Sequence, residues 1–210
     1  MDLEKAVITV GREYGSGGHD IGKLVAEMLH VPFYDKEIIT QAARDSGICE
    51  ELFQTHDEKT VPSYLFGLMT NVGELPPLGG STELPLNHRI FMAQFEAIQR
   101  LALQGPCVVV GRCGNYVLKG QPNVVNVFIY GDTEARIQRI MRVENIPYNL
   151  AKDHVRKVDK QRQGYYNFFA DGNWGHRSNY HLMINAAGIT PQGAAEAIIA
   201  YVKGRIQRQD

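Results

Sequence analysis

The sequence predicts an α/β domain with about five parallel strands, and three observations support this fold class. Short apolar runs rich in β-branched residues alternate with longer segments of helical periodicity, as in a parallel sheet covered by helices. A length of 210 residues suits one compact domain with an insertion better than two independent domains. The composition is that of an ordinary globular protein, because 44% of the residues are hydrophobic and 21% are charged.

The N-terminal part of the chain predicts a strand, a glycine-rich loop, a helix and a second strand. Ala6 to Val10 is a β-branched apolar run, and residues 21–29 place apolar side chains at helical spacing. Val31 to Asp35 predicts a very short strand, and Lys36 to Arg44 predicts the next helix. Strands joined through a helix form a right-handed crossover, so these two strands are expected to be parallel.

Regular periodicity fades from about Gly47 to Leu86, where glycines and prolines interrupt the chain. A segment of this length without regular structure is typical of a lid, a binding loop or an insertion, and we expect it to pack outside the sheet. Ile90 to Leu103 predicts a helix. The fully apolar run Cys107 to Val110 that follows is typical of a central, buried strand.

The C-terminal half continues the alternation. Its predicted elements are a strand from Val124 to Tyr130, a helix from Thr133 to Arg142, a polar helix from Asn149 to about Phe168, a strand from His181 to Asn185 and a helix from Thr190 to about Ile206. Pro191 suits the first turn of the last helix, because a proline needs no hydrogen-bonded N–H there.

Charge and cysteine content exclude several classes of protein. The 22 basic residues are balanced by 23 acidic ones, which argues against a general nucleic-acid binder. No apolar stretch approaches the roughly 18 residues of a membrane helix, and the acidic start does not resemble a secretory signal. Three cysteines without Cys-x-x-Cys spacing argue against a disulfide framework or a zinc site. We therefore expect a cytoplasmic protein without nucleic-acid or membrane partners, and no metal ligands are assigned.

The loop after the first strand is the strongest functional signal. Four of the eight residues from Gly11 to Gly18 are glycine, and a helix is expected to follow. Such a loop can present several backbone N–H groups to a phosphate beside a positive helix terminus. The alternative is a tight turn whose glycines only supply positive φ angles.

The loop departs from the common triphosphate-binding pattern G-x-x-x-x-G-K-[ST]. Gly18 stands where the lysine belongs, and His19 and Asp20 provide no hydroxyl group. The dinucleotide pattern G-x-G-x-x-G also fits poorly, because Asp20 replaces the third glycine. Arginines elsewhere in the chain would have to supply the missing positive charge.

Several motifs are shared with one family. They are Ile8 to Gly18, Pro32 to Glu37, Val110-Gly111-Arg112-Cys113-Gly114 with Cys113 in place of an aspartate, Asn126 to Tyr130, Thr133 to Arg136 with Arg139, and Asp159-x-x-Arg162. Over nearly its full length the chain resembles the cytidylate kinase-like family, a P-loop group related to nucleoside monophosphate kinases.

The resemblance implies a P-loop NTPase-like three-layer fold in one domain of residues 1–210. It implies an acceptor-binding insertion at about 47–86 and a lid at about 142–175. The implied cofactors are ATP and Mg²⁺, and the implied reaction transfers a phosphoryl group to a nucleoside monophosphate such as CMP or to another small phosphate acceptor. A homodimer is compatible with this expectation.

The candidate residues follow from the charge that phosphoryl transfer needs around the phosphates. The predicted catalytic residues are Arg12, Asp35, Arg139 and Arg162. The predicted cofactor-binding residues are Gly11, Arg12, Glu13, Tyr14, Gly15, Ser16, Gly17, Gly18 and His19. The predicted substrate-binding residues are Asp35, Arg112 and Arg136.

Two of these residues carry specific arguments. Arg162 interrupts an apolar stripe of the polar helix, so it must be paired or face a ligand. Asp35 ends the second strand at the edge where α/β folds bind ligands, although it could instead cap the following helix.

Two further functions remain open. A nucleotide-binding module without catalysis would explain the missing lysine and hydroxyl. A nicotinamide oxidoreductase is disfavoured by the missing third glycine.

Overall fold

Five strands form one parallel sheet in the spatial order β2, β3, β1, β4, β5. The structure is a computed structural model that describes residues 6–56, 85–170 and 172–207. The strands are β1 (Val7–Arg12), β2 (Phe33–Tyr34), β3 (Cys107–Val110), β4 (Val124–Tyr130) and β5 (Leu182–Asn185). The helices of the described ranges are α1 (Gly18–Leu29), α2 (Lys36–Ser46), α3 (Glu50–His56), α4 (Leu86–Leu103), α5 (Gly114–Val117), α6 (Thr133–Glu144), α7 (Tyr148–Phe169) and α8 (Pro191–Gln207).

Helices cover both faces of the sheet, because the strands are apolar on both sides. Val7 and Val109 pack with α2, α3 and α4 on one face. Ile8 and Val110 pack with α1 and α8 on the other. The predicted three-layer α/β fold with five parallel strands is therefore confirmed.

The connections that follow the strands meet at one edge of the sheet, as parallel strands require. The glycine loop leaves β1 there, and the turn from Gly111 to Cys113 leaves β3. Asp35 follows β2, and residues 131–132 follow β4. Charged side chains from distant parts of the sequence are thereby brought together.

The structure corrects the description of the segment after Gly47. Residues 50–56 form α3, and its Phe53 is fully buried against α2 and α4. A helix of seven residues is too short to show a clear period, which is why the sequence does not reveal it. Helix α4 also begins earlier than predicted, at Leu86. The predicted insertion otherwise falls on residues 57–84, outside the described residues.

No helix within the described ranges is long and apolar enough to cross a membrane.

Candidate active site

The glycine loop joins the end of β1 to the start of α1. Gly17 lies at the N-cap of α1 with φ +80°, a left-handed conformation that bulky residues avoid. Gly17 itself offers no side-chain cap, and the Gly18 N–H donates to Ser16 Oγ at 3.3 Å. The other N–H groups of the first turn and the positive end of the helix dipole lie at the edge of the sheet, as a phosphate cradle requires.

Hydrogen bonds and ion pairs connect the same loop to α6 and α7, the two helices that follow β4. The Tyr14 N–H donates to Asp159 Oδ1 at 2.7 Å, and Arg136 Nη1 donates to the Tyr14 carbonyl oxygen at 3.2 Å. Arg136 also pairs with Asp159, and its Nε lies 3.3 Å from Glu13 Oε2. The Tyr14 amide of the predicted cradle is thus already bonded to a carboxylate.

Glu13 is the acidic residue of the glycine loop, and its side chain is partly buried in this network. Burial raises the pKa of its carboxyl group, and the charge of Asp159 acts in the same direction. The Gly131 N–H, which donates to Glu13 Oε2 at 3.1 Å, and the charge of Arg136 oppose that rise without cancelling it. Glu13 therefore ties the loop to the end of β4.

Gly18, at the position of the missing lysine, has no room for a side chain. A Cβ atom there would lie 2.6 Å from the Arg12 Cβ and 3.1 Å from the Ile129 Cβ. Arg12 thus fills the space into which a side chain at residue 18 would extend. The structure places an arginine directly against the position where related loops carry lysine.

A chain of oppositely charged side chains crosses the mouth of the loop. Arg139 pairs with Asp20, whose Oδ1 lies 3.2 Å from His19 Nδ1. His19 Nε2 lies 3.3 Å from Asp35 Oδ2, and the other oxygen of Asp35 pairs with Arg112. A ring protonated on both nitrogens can donate to the two carboxylates at once. Asp35 makes no side-chain cap to α2, so its pairing with Arg112 and His19 replaces the capping alternative.

The backbone after β3 is unusual where it presents Arg112. Gly111, Arg112 and Cys113 have φ values of +75°, +48° and +55°. Two consecutive residues other than glycine in the left-handed region are uncommon, and such conformations cluster at ligand sites. The turn holds the Arg112 guanidinium beside Asp35 with only 3% of the residue exposed.

All four predicted catalytic residues line one cleft above the glycine loop, which we call the loop cleft. Its lining residues are Arg12, Glu13, Tyr14, Gly15, Gly17, Gly18, His19, Asp20, Asp35, Arg139, Ile140, Val143, Glu144 and Arg162. Arg162 Nη1 donates to the Arg12 carbonyl oxygen at 3.2 Å, and its guanidinium lies 5.6 Å from the centre of the Tyr14 ring. The arginine in the apolar stripe of α7 is therefore both paired and adjacent to the loop.

A second pocket opens on the other side of the loop, between α6 and the start of α8, and is called the α6–α8 pocket. Its lining combines apolar side chains with arginines: Gly15, Ser16, Gly17, Ile21, Gly131, Ala135, Arg136, Arg139, Arg142, Ala186, Ala187, Ile189 and Pro191. Its volume is about 580 Å³, counting space open to solvent. No local sequence pattern marks residues 186–191 as part of a site, because only the fold brings them to the loop.

A third pocket, the tyrosine pocket, lies between the ends of β1 and β3 and helix α7. It is lined by Thr9, Val10, Gly11, Arg12, Gly111, Arg112, Cys113, Gly114, Asn115, Arg162, Tyr165, Tyr166, Trp174 and Tyr180. Arg12 and Arg162 border both this pocket and the loop cleft. The two spaces therefore share a cationic boundary.

The predicted substrate-binding residues separate into two groups. Asp35 and Arg112 lie together between the loop cleft and the tyrosine pocket. Arg136 lies near the α6–α8 pocket, 7% exposed, and uses its donors on Gly131, Tyr14 and Asp159. Its contacts are those of a residue that holds the loop in place.

Sequence reasoning missed the polar chain below the loop. The Tyr14 hydroxyl donates to Glu144, and His154 Nδ1 lies 2.9 Å from the other Glu144 oxygen. Burial and the Glu144 carboxylate raise the pKa of Tyr14 to about 12. No local spacing signals a contact across 130 residues, so only the fold reveals it.

Comparisons with known proteins agree with this architecture. An uncharacterised protein from Eubacterium ventriosum ATCC 27560 is 27% identical with a TM-score of 0.72, over 95% of this chain and 99% of that chain. The fold is shared with a shikimate kinase from Acinetobacter baumannii in complex with shikimate, at 16% identity and a TM-score of 0.51 over 96% of this chain and 94% of that one.

It is also shared with a gluconokinase from Sinorhizobium meliloti 1021, at 13% identity and a TM-score of 0.53 over 98% and 95% of the two chains. Among curated proteins, none matches the sequence. The profile of the cytidylate kinase-like family matches residues 7–187. The chain belongs to the cytidylate kinase-like family.

Proposed function

We propose that the protein is an ATP-dependent phosphotransferase that transfers a phosphoryl group to a nucleoside monophosphate such as CMP or to another small acceptor. One observation carries this proposal: Arg12, Arg139, Arg162 and Asp35 converge on a single cleft whose floor is the glycine loop. Phosphoryl transfer depends mainly on positioning and on positive charge around the transferred group. The loop cleft offers both.

The nucleotide is proposed to span the loop, with its phosphates on the start of α1 and its base in the α6–α8 pocket. The apolar side of that pocket, formed by residues such as Ala187, Ile189 and Pro191, suits a planar base. Arg139 borders both spaces and is the natural contact for phosphates between them.

Three cations are proposed to replace the missing lysine. Arg12 fills the space beside Gly18, and Arg162 reaches the loop from α7. His19, between two carboxylates, can add a third charge when both ring nitrogens carry protons. A lysine-free loop would thereby retain electrostatic stabilisation of the transferred phosphoryl group.

The acceptor is proposed to enter from the side of the tyrosine pocket. The Arg112 guanidinium suits bidentate recognition of a phosphate or carboxylate, while Asp35 can orient a hydroxyl group of the acceptor. The shikimate kinase and the gluconokinase are named for acceptors that are not nucleotides, so such acceptors belong in any test.

Mg²⁺ fits the same cleft. It is usually held by one or two carboxylates, water and substrate phosphates, and Asp20 and Asp35 provide carboxylates on the two sides of His19. Within the described ranges no group of three or more His, Cys, Asp or Glu side chains forms a metal site on its own. Bound Mg²⁺ would neutralise charge on the nucleotide phosphates.

We propose a cytoplasmic location and no nucleic-acid or membrane partner. Cys49, Cys107 and Cys113 form no disulfide bonds in the described part of the chain, which agrees with a reducing compartment.

A nucleotide-binding module without catalysis is the second candidate. It is favoured by the Tyr14 N–H, which is bonded to Asp159 and so is not available to a phosphate. Under this reading the loop binds nucleotide without aligning it for transfer.

The deciding experiment is a turnover screen of ATP with each nucleoside monophosphate, shikimate and gluconate, with and without Mg²⁺. For an acceptor that reacts, Arg12→Ala and Arg162→Ala should each lower kcat by about a hundredfold and change KM for ATP less. Arg156→Ala on the exposed side of α7 is the matched control and should leave kcat unchanged. No turnover with any acceptor, together with arginine variants that alter nucleotide affinity alone, would establish the binding module instead.

A further inference from the structure

A separate cleft opens on the sheet near the start of β4, on the side away from the glycine loop. It lies between the connection from α5 to β4 and the segment 178–181 that precedes β5, and we call it the amino-edge cleft. Its polar lining includes Lys119, Gln121, Asn126, His181 and Arg205. Its volume is about 560 Å³, which is ample for a small metabolite.

The described charged side chains that line this cleft are all basic. Lys119 and Arg205 line it, and no described acidic residue does. The Nε atom of Arg205 is buried and has no hydrogen-bond acceptor among the residues that the structure describes. The whole chain has a formal net charge of −1, so the positive charge of the cleft does not reflect a general excess of basic residues. A bound anion would balance the charge of these two cations.

Neutral donors accompany the two cations. The Asn126 backbone N–H donates to His181 Nδ1 at 2.9 Å, so the proton of the neutral ring is on Nε2, which can donate. Burial lowers the pKa of His181, and the charge of Arg205 adds to this effect. The Asn126 side-chain oxygen accepts from the Thr9 hydroxyl at 2.8 Å, which leaves its NH₂ group for a ligand.

We propose that the amino-edge cleft binds an organic phosphate, such as a sugar phosphate or a nucleotide, at a site distinct from the loop cleft. Lys119 and Arg205 would hold the phosphate, since guanidinium and ammonium groups are its usual partners. Hydroxyl or base groups of the ligand would meet the amide side chains of Gln121 and Asn126. The proposal does not depend on phosphoryl transfer.

The position of the cleft gives its ligand a route to the tyrosine pocket. Asn115, Tyr166 and Tyr180 line both spaces, and Asn115 Nδ2 donates to the Tyr166 hydroxyl at 2.8 Å. Tyr166 belongs to α7, which also carries Arg162. A ligand in the amino-edge cleft that moves this shared wall would change the tyrosine pocket.

The site can be tested by following backbone amide resonances during titration with inorganic phosphate, ribose 5-phosphate and CMP. The signals of Lys119, Asn126 and His181 report the amino-edge cleft, and those of Tyr14 to His19 report the glycine loop. Arg205→Gln should weaken the apparent affinity at the amino-edge signals by about tenfold, because a charge-assisted bond is lost, and leave the glycine-loop signals unchanged. Lys203→Gln, an exposed residue of the same helix, is the matched control and should change neither set.

A response to ribose 5-phosphate or CMP but not to inorganic phosphate would identify contacts beyond the phosphate group and support the proposal. If Arg205→Gln perturbs folding, Lys119→Gln provides the same test from another element. Amino-edge signals that do not move at concentrations that saturate the glycine loop would overturn the proposal. Equal weakening by Arg205→Gln and Lys203→Gln would also overturn it. These titrations measure binding, so every outcome can be interpreted even if the protein shows no kinase turnover.

Discussion

At residue 18 the backbone passes so close to Arg12 that the two positions cannot both carry long side chains in their present places. The sequence shows that lysine is absent, and the structure adds that the Arg12 Cβ lies 2.6 Å from where a Cβ of residue 18 would stand. The Arg12 side chain and a side chain at residue 18 would therefore compete for the same space. Lysine cannot simply be restored at this position.

Gly18→Ala tests this arrangement. Overpacking of a closed site costs about 1 to 3 kcal/mol, so the variant should be destabilised by that amount in urea unfolding. Gly204→Ala in α8 is the matched control, because a Cβ there meets open space. The control should be neutral or more stable by about 0.5 to 1 kcal/mol. Equal stability of the two variants would show that the loop adjusts freely at residue 18.

Strand-end residues were the most predictable part of the site. Asp35 and Arg112 each follow an apolar strand, and parallel topology places both at one edge. Their partners were not predictable, because the contact between them spans 77 residues and leaves no periodic trace. The same limit applies to Arg136, whose sequence position suggested a ligand contact and whose partners are Tyr14 and Asp159.

At the scale of elements, the Glu13, Arg136 and Asp159 network joins the glycine loop to α6 and α7. Asp159 and Arg162 are three residues apart, so α7 presents both to the loop. Movement of α7 would therefore disturb the loop directly. The network makes the position of this helix part of the geometry of the site.

Glu13→Gln tests the network through its pH dependence. Because the pKa of Glu13 is raised above 4.5, mainly by burial, the folded chain holds that proton more tightly than the unfolded chain. The contribution of protonated Glu13 to the free energy of unfolding is fully present below pH 4.5. It is lost as the pH rises through the raised pKa of the folded state. Glutamine does not titrate, so the Gln variant does not lose stability in this way. Its unfolding free energy should therefore rise relative to that of the parent as the pH rises through this range.

Glu134→Gln on α6 is the control with the opposite sign. Hydrogen bonds from Gln138 and Tyr148 lower the pKa of Glu134, so its contribution is present above pH 4.5 and is lost as the pH falls. Urea unfolding of the parent and both variants at several pH values separates the two slopes. Parallel curves for the parent and Glu13→Gln would contradict the assigned burial effect.

At the scale of the whole molecule, apolar runs were sufficient to predict the sheet. Strands such as β3 are buried on both faces, so their sequence is continuously apolar and their parallel pairing follows. Helix α3 escaped prediction because one buried residue, Phe53, fixes it to the core. Long-range packing of that kind is absent from local sequence patterns.

Phe53 also decides whether residues after Gly47 belong to the same cooperative unit as the sheet. It is 0% exposed and shares a cluster with α2, α4 and β3. If the chain is one domain, Phe53→Ala should lower the unfolding free energy by about 3 to 5 kcal/mol and keep a single transition. Leu103→Ala, at a residue that is 81% exposed, should change it by less than about 0.5 kcal/mol. Thermal unfolding followed by circular dichroism and by Trp174 fluorescence measures both. A second transition would show that α3 unfolds independently of the sheet. So would a loss of unfolding free energy for Phe53→Ala no larger than that for Leu103→Ala, because a residue in a separately unfolding segment does not affect the stability of the sheet.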